Sequence, residues 1–159
     1  MEAYIIIGFL FAFPLFIGML FRVNTTHLFV TILAAELLER YFRYEVELVL
    51  RPFIGNETVL GYTALAMLII PLVLTGVFLH GSLSRSGIVL HFIPLILCGI
   101  VFAAFAGPVL PAAIQGALSE NVLGELLLDN SQFIVGVTVL LQLFALWFLT
   151  KKHKKDSKK

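Results

Sequence analysis

The chain consists of long apolar runs separated by short polar turns. Four of these runs are long enough to form membrane-spanning helices, at residues 3–21, 59–79, 88–110 and 133–150. A helix of about 20 apolar residues crosses the hydrocarbon core of a bilayer, which is about 30 Å thick. The pattern therefore predicts an all-α integral membrane protein, a small bundle with four transmembrane helices.

A further helix is predicted over residues 24–51, the only apolar stretch of the chain that is interrupted by charge. On a helix with about 3.6 residues per turn, five charged residues fall within one narrow stripe: Glu36, Arg40, Arg43, Glu47 and Arg51. The spacing predicts three i,i+4 ion pairs with the acid on the N-terminal side, the favoured orientation: Glu36–Arg40, Glu39–Arg43 and Glu47–Arg51. Because Pro52 disfavours helical geometry at the residue before it, this helix is expected to end at Arg51.

The charged helix can either cross the membrane or lie along its outer surface. An unpaired charge near the bilayer centre costs about 2.5–3.5 kcal/mol on insertion scales, which favours the surface. The positive-inside rule favours crossing, since crossing puts Arg22 on the same side as the basic C-terminal tail, residues 151–159. We therefore expect five spans in a single domain, residues 1–150, with the C-terminus in the cytoplasm. An amphipathic segment over 119–129, capped by Ser119, is expected on the outer side.

The composition indicates that lipid surrounds most side chains. Of 159 residues, 60% are hydrophobic and 13% charged, and the net charge is +1. Soluble domains carry about 25% charged residues, and a water-soluble fold of this size cannot bury this much apolar surface. The single cysteine, Cys98, excludes an internal disulfide and a cysteine-based metal site.

Proline and glycine recur at similar places in several apolar runs. Residues 70–77 (IPLVLTGV) and 93–100 (IPLILCGI) are identical at five of eight positions, and 13–18 (FPLFIG) is a shorter variant. Inverted repeats with broken helices mark binding sites in many transporters. Sequences built from a few apolar residue types also contain such repeats by coincidence. The predicted kink and packing residues are Pro14, Pro71, Gly76, Pro94, Gly99, Ala103 and Gly107. The last three are spaced by four and form a ridge for close approach of a helix from this chain, a second copy or another membrane protein.

Groups that could carry chemistry are few. The first candidates are four charged residues of the interrupted helix, Glu36, Glu39, Arg40 and Arg43. They form either an ion-pair ladder that orients the helix or a relay for protons or ions. His27, His80 and His91 lack the spacing of a metal motif, so no metal or other cofactor is expected. The tail Lys151–Lys159 can attract anionic lipid, and no nucleic-acid partner is expected.

No catalytic or nucleotide-binding fingerprint occurs, and no motif identifies a known family. We therefore predict a non-enzymatic membrane protein that acts as an accessory, assembly or structural component. The alternative is a transporter or channel component that uses Glu36 and Glu39 with kinked helices at Pro71 and Pro94. Burial of Glu36 beside another polar residue would favour transport, and contact with its own Arg40 would favour a structural role.

Overall fold

The computed structural model describes the backbone of residues 2–54, 57–83 and 88–156 and the side chains of 2–50, 52, 62–83 and 91–148. Within these ranges all regular structure is helical, which confirms the all-α prediction. The seven helices are α1 (Glu2–Leu20), α2 (Thr25–Ile54), α3 (Glu57–Phe78), α4 (Ile88–Val109), α5 (Ala112–Ser119), α6 (Val122–Asp129) and α7 (Ser131–Asp156). The side chains of the predicted lipid-binding tail lie outside the described residues.

Three segments of the described chain are long and apolar enough to cross a membrane: Glu2–Leu20, His91–Val109 and Ser131–Phe148. They lie in α1, α4 and α7 and coincide with three of the four predicted apolar spans. The fourth, α3, contributes a shorter apolar stretch, Tyr62–Phe78, over its described residues. The described part of the chain thus has three helices with the length and composition of a transmembrane segment.

Helix α4 is the centre of the fold, since α1, α2, α3, α6 and α7 all pack against it. In its apolar segment 56% of the residues are buried, against 11% in α7. Cys98, Val101, Phe102 and Ala106 of α4 are almost completely inaccessible and form the middle of the core. Because α7 packs mainly on this one helix, most of the surface of its apolar segment is left uncovered by the described part of the chain.

The turn between α1 and α2 packs against the segment that follows α3. The Gly81 amide donates to the Phe21 carbonyl and the Leu83 amide to the Arg22 carbonyl, each at 2.8 Å. The Arg22 guanidinium also donates to the Leu83 carbonyl, at 3.1 Å. These bonds hold Arg22 at a φ of 52°, a left-handed conformation that is unfavourable for a side chain. The start of α2 and the end of α3 therefore lie at the same end of the bundle, so the two helices run antiparallel.

The expected end of α2 at Arg51 is wrong, because the helix continues through Pro52 to Ile54. A proline removes one backbone donor and crowds the carbonyl four residues earlier. Only two helical residues follow Pro52, so a distortion there displaces little of α2. Pro52 is accordingly tolerated two residues before the end.

The predicted amphipathic segment 119–129 contains the whole of α6, but its predicted cap is wrong. Ser119 is the last residue of α5, and its hydroxyl donates to the Gly116 carbonyl at 2.8 Å. Asn121 caps α6 instead, with its side-chain oxygen accepting from the Leu123 amide at 3.0 Å. The extended backbone of Asn121 gives it the geometry of an N-cap.

Candidate functional site

The charged face of α2 is positioned by the apolar face of the same helix. Leu28, Ile32 and Ala35 are buried at helical spacing, where α2 packs on α3 and α4. Glu39 occupies the next position of this buried stripe and is only 8% exposed. A carboxylate therefore stands where the pattern of α2 would place an apolar side chain, and it needs a cation to compensate it.

The structure brings four of the predicted site residues into two ion pairs. Glu36 accepts from Arg40, with 2.9 Å between Oε1 and Nη2. Glu39 accepts from Arg43, with 3.1 Å between Oε1 and Nη1. Both pairs are one helical turn apart in sequence, so the helix itself sets their geometry.

Glu47 binds the same arginine as Glu39. Glu47 lies 2.7 Å from Nε of Arg43, which thereby bridges two carboxylates. The expected partner of Glu47 was Arg51, whose side chain lies outside the described residues. The described ion pairs of α2 join three carboxylates, Glu36, Glu39 and Glu47, to two guanidinium groups, Arg40 and Arg43, which leaves one net negative charge among these five side chains.

The acids of these pairs point inward and the arginines outward. The side chains of Glu36 and Glu39 are 16% and 11% exposed, whereas those of Arg40 and Arg43 are 64% and 39% exposed. Contacts within the chain cover the carboxylates and leave much of each guanidinium uncovered. The exposed surface of α2 is therefore more basic than its buried face.

A cavity of about 480 Å³ adjoins the charged face of α2. Its polar wall is formed by Glu36, Glu39 and Arg40 together with the first residues of α7, Ser131 and Gln132. The rest of the wall is mostly apolar and comes from α3, α4 and α7, for example Leu68, Phe105 and Val135. Glu36 therefore contacts its own Arg40 and shares a cavity with polar residues of another helix, while 16% of its side chain stays exposed.

The three kink prolines, Pro14, Pro71 and Pro94, each lie inside a continuous helix, α1, α3 and α4 respectively. The glycine that follows Pro71 in the repeat, Gly76, faces α1. A β-carbon at Gly76 would lie 3.0 Å from the side chains of Ile17 and Phe21. This half of the repeat thus contributes to packing between α3 and α1.

The small-residue ridge of α4 packs against helices of the same chain. A β-carbon at Gly99 would lie 2.6 Å from the carbonyl oxygen of Phe11 in α1. At Gly107 it would lie 3.2 Å from Leu127 in α6. Ala103, between them, is 3% exposed. An oligomer contact through this ridge would require α1 and α6 to move aside.

A buried polar line connects three helices and was not anticipated from the sequence. The hydroxyl of Thr25 in α2 lies 2.6 Å from Nδ1 of His91 in α4, and the Thr25 carbonyl accepts from the Cys98 thiol at 3.9 Å. Cys98 in turn accepts from the Gln142 amide of α7 at 3.7 Å. Gln142 is fully buried, and its Oε1 has no hydrogen-bond partner in the described residues. One feature of the sequence points to this residue, because Gln142 is the single amide side chain in the middle of the last apolar run.

The histidines do not come together. His27 and His80 are exposed, and the His80 ring stacks edge-on against Phe21. His91 is held by Thr25 on the first turn of α4. Over the described residues no three His, Cys, Asp or Glu side chains are placed to hold a metal ion.

No protein-family model, curated protein or solved structure matches this chain. The functional argument is therefore built on the ion-paired face of α2 and the cavity beside it.

Proposed function

We propose that this protein is a non-enzymatic, multi-pass membrane protein that works as a component of a larger membrane assembly. In this proposal α2 is a fifth transmembrane helix, antiparallel to α3, and the C-terminus is cytoplasmic. The packing of α2 along α3 and α4 supports this arrangement over a helix that lies on the membrane surface. The hydroxyl pair between Thr31 and Thr75, 2.9 Å apart, joins α2 to α3.

The depth of the ion pairs follows from helix geometry. An α-helix rises about 1.5 Å per residue, so Glu36 lies about 16 Å and Arg40 about 22 Å beyond Thr25. The carbonyl of Thr25 contacts Cys98 in the middle of α4, so the first residue of α2 lies inside the span rather than at its cytoplasmic end. In this proposal Glu36 and Arg40 are then in the outer half of the span, where they line the same cavity as Ser131 at the start of α7.

The observation that carries the proposal is the exposure of Arg40 at that depth. Its side chain is 64% exposed, although Glu36 holds the guanidinium toward the bilayer centre. An unpaired charge at the bilayer centre costs about 2.5–3.5 kcal/mol on insertion scales, and a paired charge exposed to lipid nearer the interface incurs part of this cost. Polar groups of a partner that cover the stripe would remove most of this cost, and they would make the stripe an assembly interface.

The assembly can be tested by extracting the protein from its membrane with a nanodisc-forming polymer and weighing the particles by native mass spectrometry. We expect a complex heavier than the 17.7 kDa chain. Replacing the pair with Glu36→Leu and Arg40→Leu together should dissociate it, because the polar contact is lost without leaving an unpaired charge. Glu45→Leu, on the opposite face of α2, should not. A 17.7 kDa particle in all three cases would contradict the proposal.

The proposed span is tested separately by cysteine accessibility. In a Cys98→Ala background, Asn24→Cys and Asn56→Cys stand before and after α2. Impermeant thiol reagents applied to intact cells should label Asn56→Cys and spare Asn24→Cys. Equal labelling of the two positions would show that α2 does not cross.

A transporter or channel component is the second candidate, and the cavity beside α2 is the observation that favours it. Intramembrane carboxylates that line a cavity are common in proton pathways. In liposomes loaded with a pH-sensitive dye, a proton gradient should dissipate faster with the protein than without it. Glu36→Gln should abolish the difference and Glu45→Gln should preserve it. A leak unaffected by Glu36→Gln would remove Glu36 from the pathway.

A further inference from the structure

We propose that the cavity between α2, α4 and α7 binds one zwitterionic phospholipid whose head carries a primary amine. Glu36 and Glu39 accept hydrogen bonds from the ammonium group, and Arg40 binds the phosphate. The acyl chains lie along the apolar wall. This inference shares with the proposed function the assignment of α2 as a span, but it requires no protein partner.

The charges of the cavity wall are those that a zwitterionic head needs. Two carboxylates and one guanidinium face the same space, with Ser131 and Gln132 beside them. Each carboxylate has about four acceptor sites on two oxygens, and the arginine pairs use one oxygen of each. Acceptor capacity for the three N–H donors of a primary ammonium group therefore remains. The mostly exposed guanidinium of Arg40 has donors left for a phosphate.

The size of the cavity argues against a bare ion as its occupant. Its volume of about 480 Å³ equals that of about 16 water molecules at their liquid volume. It falls in the range of small-molecule sites, about 300–1,000 Å³. A proton or a metal ion would leave nearly all of this space to be filled by water beside apolar side chains.

The location suits an amphiphile that enters from the bilayer. The apolar side of the cavity is built by Phe105 and Val109 of α4 and Val135 of α7. In the described part of the chain α2 and α7 are not a closely packed pair, because each packs mainly on other helices. Ser131 and Pro108 lie near the helix ends that form the proposed outer side, so the head would sit at the level of the outer leaflet.

The test uses the full chain in nanodiscs of equal parts of three dioleoyl lipids, released into the gas phase for native mass spectrometry. The lipids are phosphatidylethanolamine, phosphatidylcholine and phosphatidylglycerol. We expect one phosphatidylethanolamine to remain bound, at least about tenfold more often than either of the others, since hydrogen bonds between ions are strong. Phosphatidylcholine has no N–H donor, and phosphatidylglycerol has no ammonium group. Equal retention of all three, or preference for the anionic lipid, would overturn the proposal.

A variant that fills the cavity without touching a charge keeps the test independent of the ion pairs. A β-carbon at Gly136, on the cavity wall, meets no atom within 4 Å, and the same is true of Gly8 on the exposed side of α1. Gly136→Leu should reduce phosphatidylethanolamine retention at least about tenfold, by occupying its space. Gly8→Leu makes the same change of residue in a helix and should have no effect. Retention unchanged in Gly136→Leu would refute the site.

Two further measurements are needed. One distinguishes a bound phospholipid from free phosphoethanolamine, and the other distinguishes the lipid site from the proposed protein assembly. Soluble phosphoethanolamine at millimolar concentration should displace the lipid only weakly, because it lacks acyl chains. If it competes as well as the lipid itself, the cavity binds the free head and the lipid assignment is wrong. The same spectra report particle mass, so lipid bound to a 17.7 kDa monomer would support the lipid site while contradicting the assembly.

Discussion

The close contact between α1 and α4 at Gly99 leads to a prediction that can be worked from distances. A β-carbon built on Gly99 would lie 2.6 Å from the carbonyl oxygen of Phe11 and 2.6 Å from Cδ1 of Leu15. The leucine can rotate away, but the carbonyl is backbone of α1 and can move only with the helix. Ordinary carbon–oxygen contacts between helices are about 3.3–3.6 Å. Gly99→Ala should therefore push α1 and α4 apart by up to about 1 Å at this point.

Gly8 supplies the matched control, because a β-carbon there meets no atom within 4 Å. Each glycine-to-alanine change gains up to about 1 kcal/mol from helix propensity. Overpacking a core costs about 1–3 kcal/mol, and only Gly99→Ala incurs it. We therefore expect Gly99→Ala to be less stable than Gly8→Ala by about 1–3 kcal/mol, with the propensity term cancelling in the comparison.

Thermal unfolding in detergent measures this difference through alkylation of Cys98, the only cysteine, which is buried in the native fold. For a chain of this size 1 kcal/mol shifts Tm by about 2–4 °C, so the midpoints of the two variants should differ by about 2–12 °C. Midpoints are compared rather than initial labelling rates, because Cys98 is next to Gly99. Equal midpoints would refute the close approach of α1 and α4.

Three further predictions concern the polar contacts. Arg43→Gln should destabilise the protein by roughly 1–3 kcal/mol more than Arg40→Gln, because Arg43 binds two carboxylates and Arg40 binds one. The free energies are measured by denaturation with SDS, and equal losses would contradict the bridging of Glu39 and Glu47 by Arg43. Thr31→Val should cost about 0.6–1.7 kcal/mol by loss of the bond to Thr75, and a double-mutant cycle with Thr75→Val should show no further loss. Gln142→Leu should change stability by less than about 1 kcal/mol, since it removes one weak bond and one buried unpaired oxygen together; a loss above about 2 kcal/mol would show that the oxygen has a partner.

The features that sequence predicts well in this protein are the local ones. The helical class follows from the length of the apolar runs, and three of those runs are helices of transmembrane length. The pairs Glu36–Arg40 and Glu39–Arg43 follow from i,i+4 spacing, because a helix brings such residues together whatever surrounds it. These conclusions need no knowledge of which helix packs on which.

Where the local pattern offers two answers, the sequence could not choose between them. Glu47 is four residues from both Arg43 and Arg51, so the spacing permits either pair; the structure shows the pair with Arg43, and the side chain of Arg51 lies outside the described residues. Ser119 and Asn121 are both good N-cap residues, and the backbone conformation selects Asn121. Helix α5, only eight residues long, has no strong periodicity that would separate it from a loop.

The sites at which the chain meets other molecules depend on contacts far apart in sequence. Spacing by four marks Gly99 and Gly107 for close helix packing, but it does not say which helix approaches. In the structure α1 covers Gly99 and α6 covers Gly107, so small residues that suit an oligomer interface are used inside the chain. Arg40 is the opposite case, since a side chain suited to the interior of a bundle remains mostly exposed. In both proposals the bound molecule covers the surface where charge remains uncovered, because covering it removes a cost that a lipid-facing apolar surface does not have.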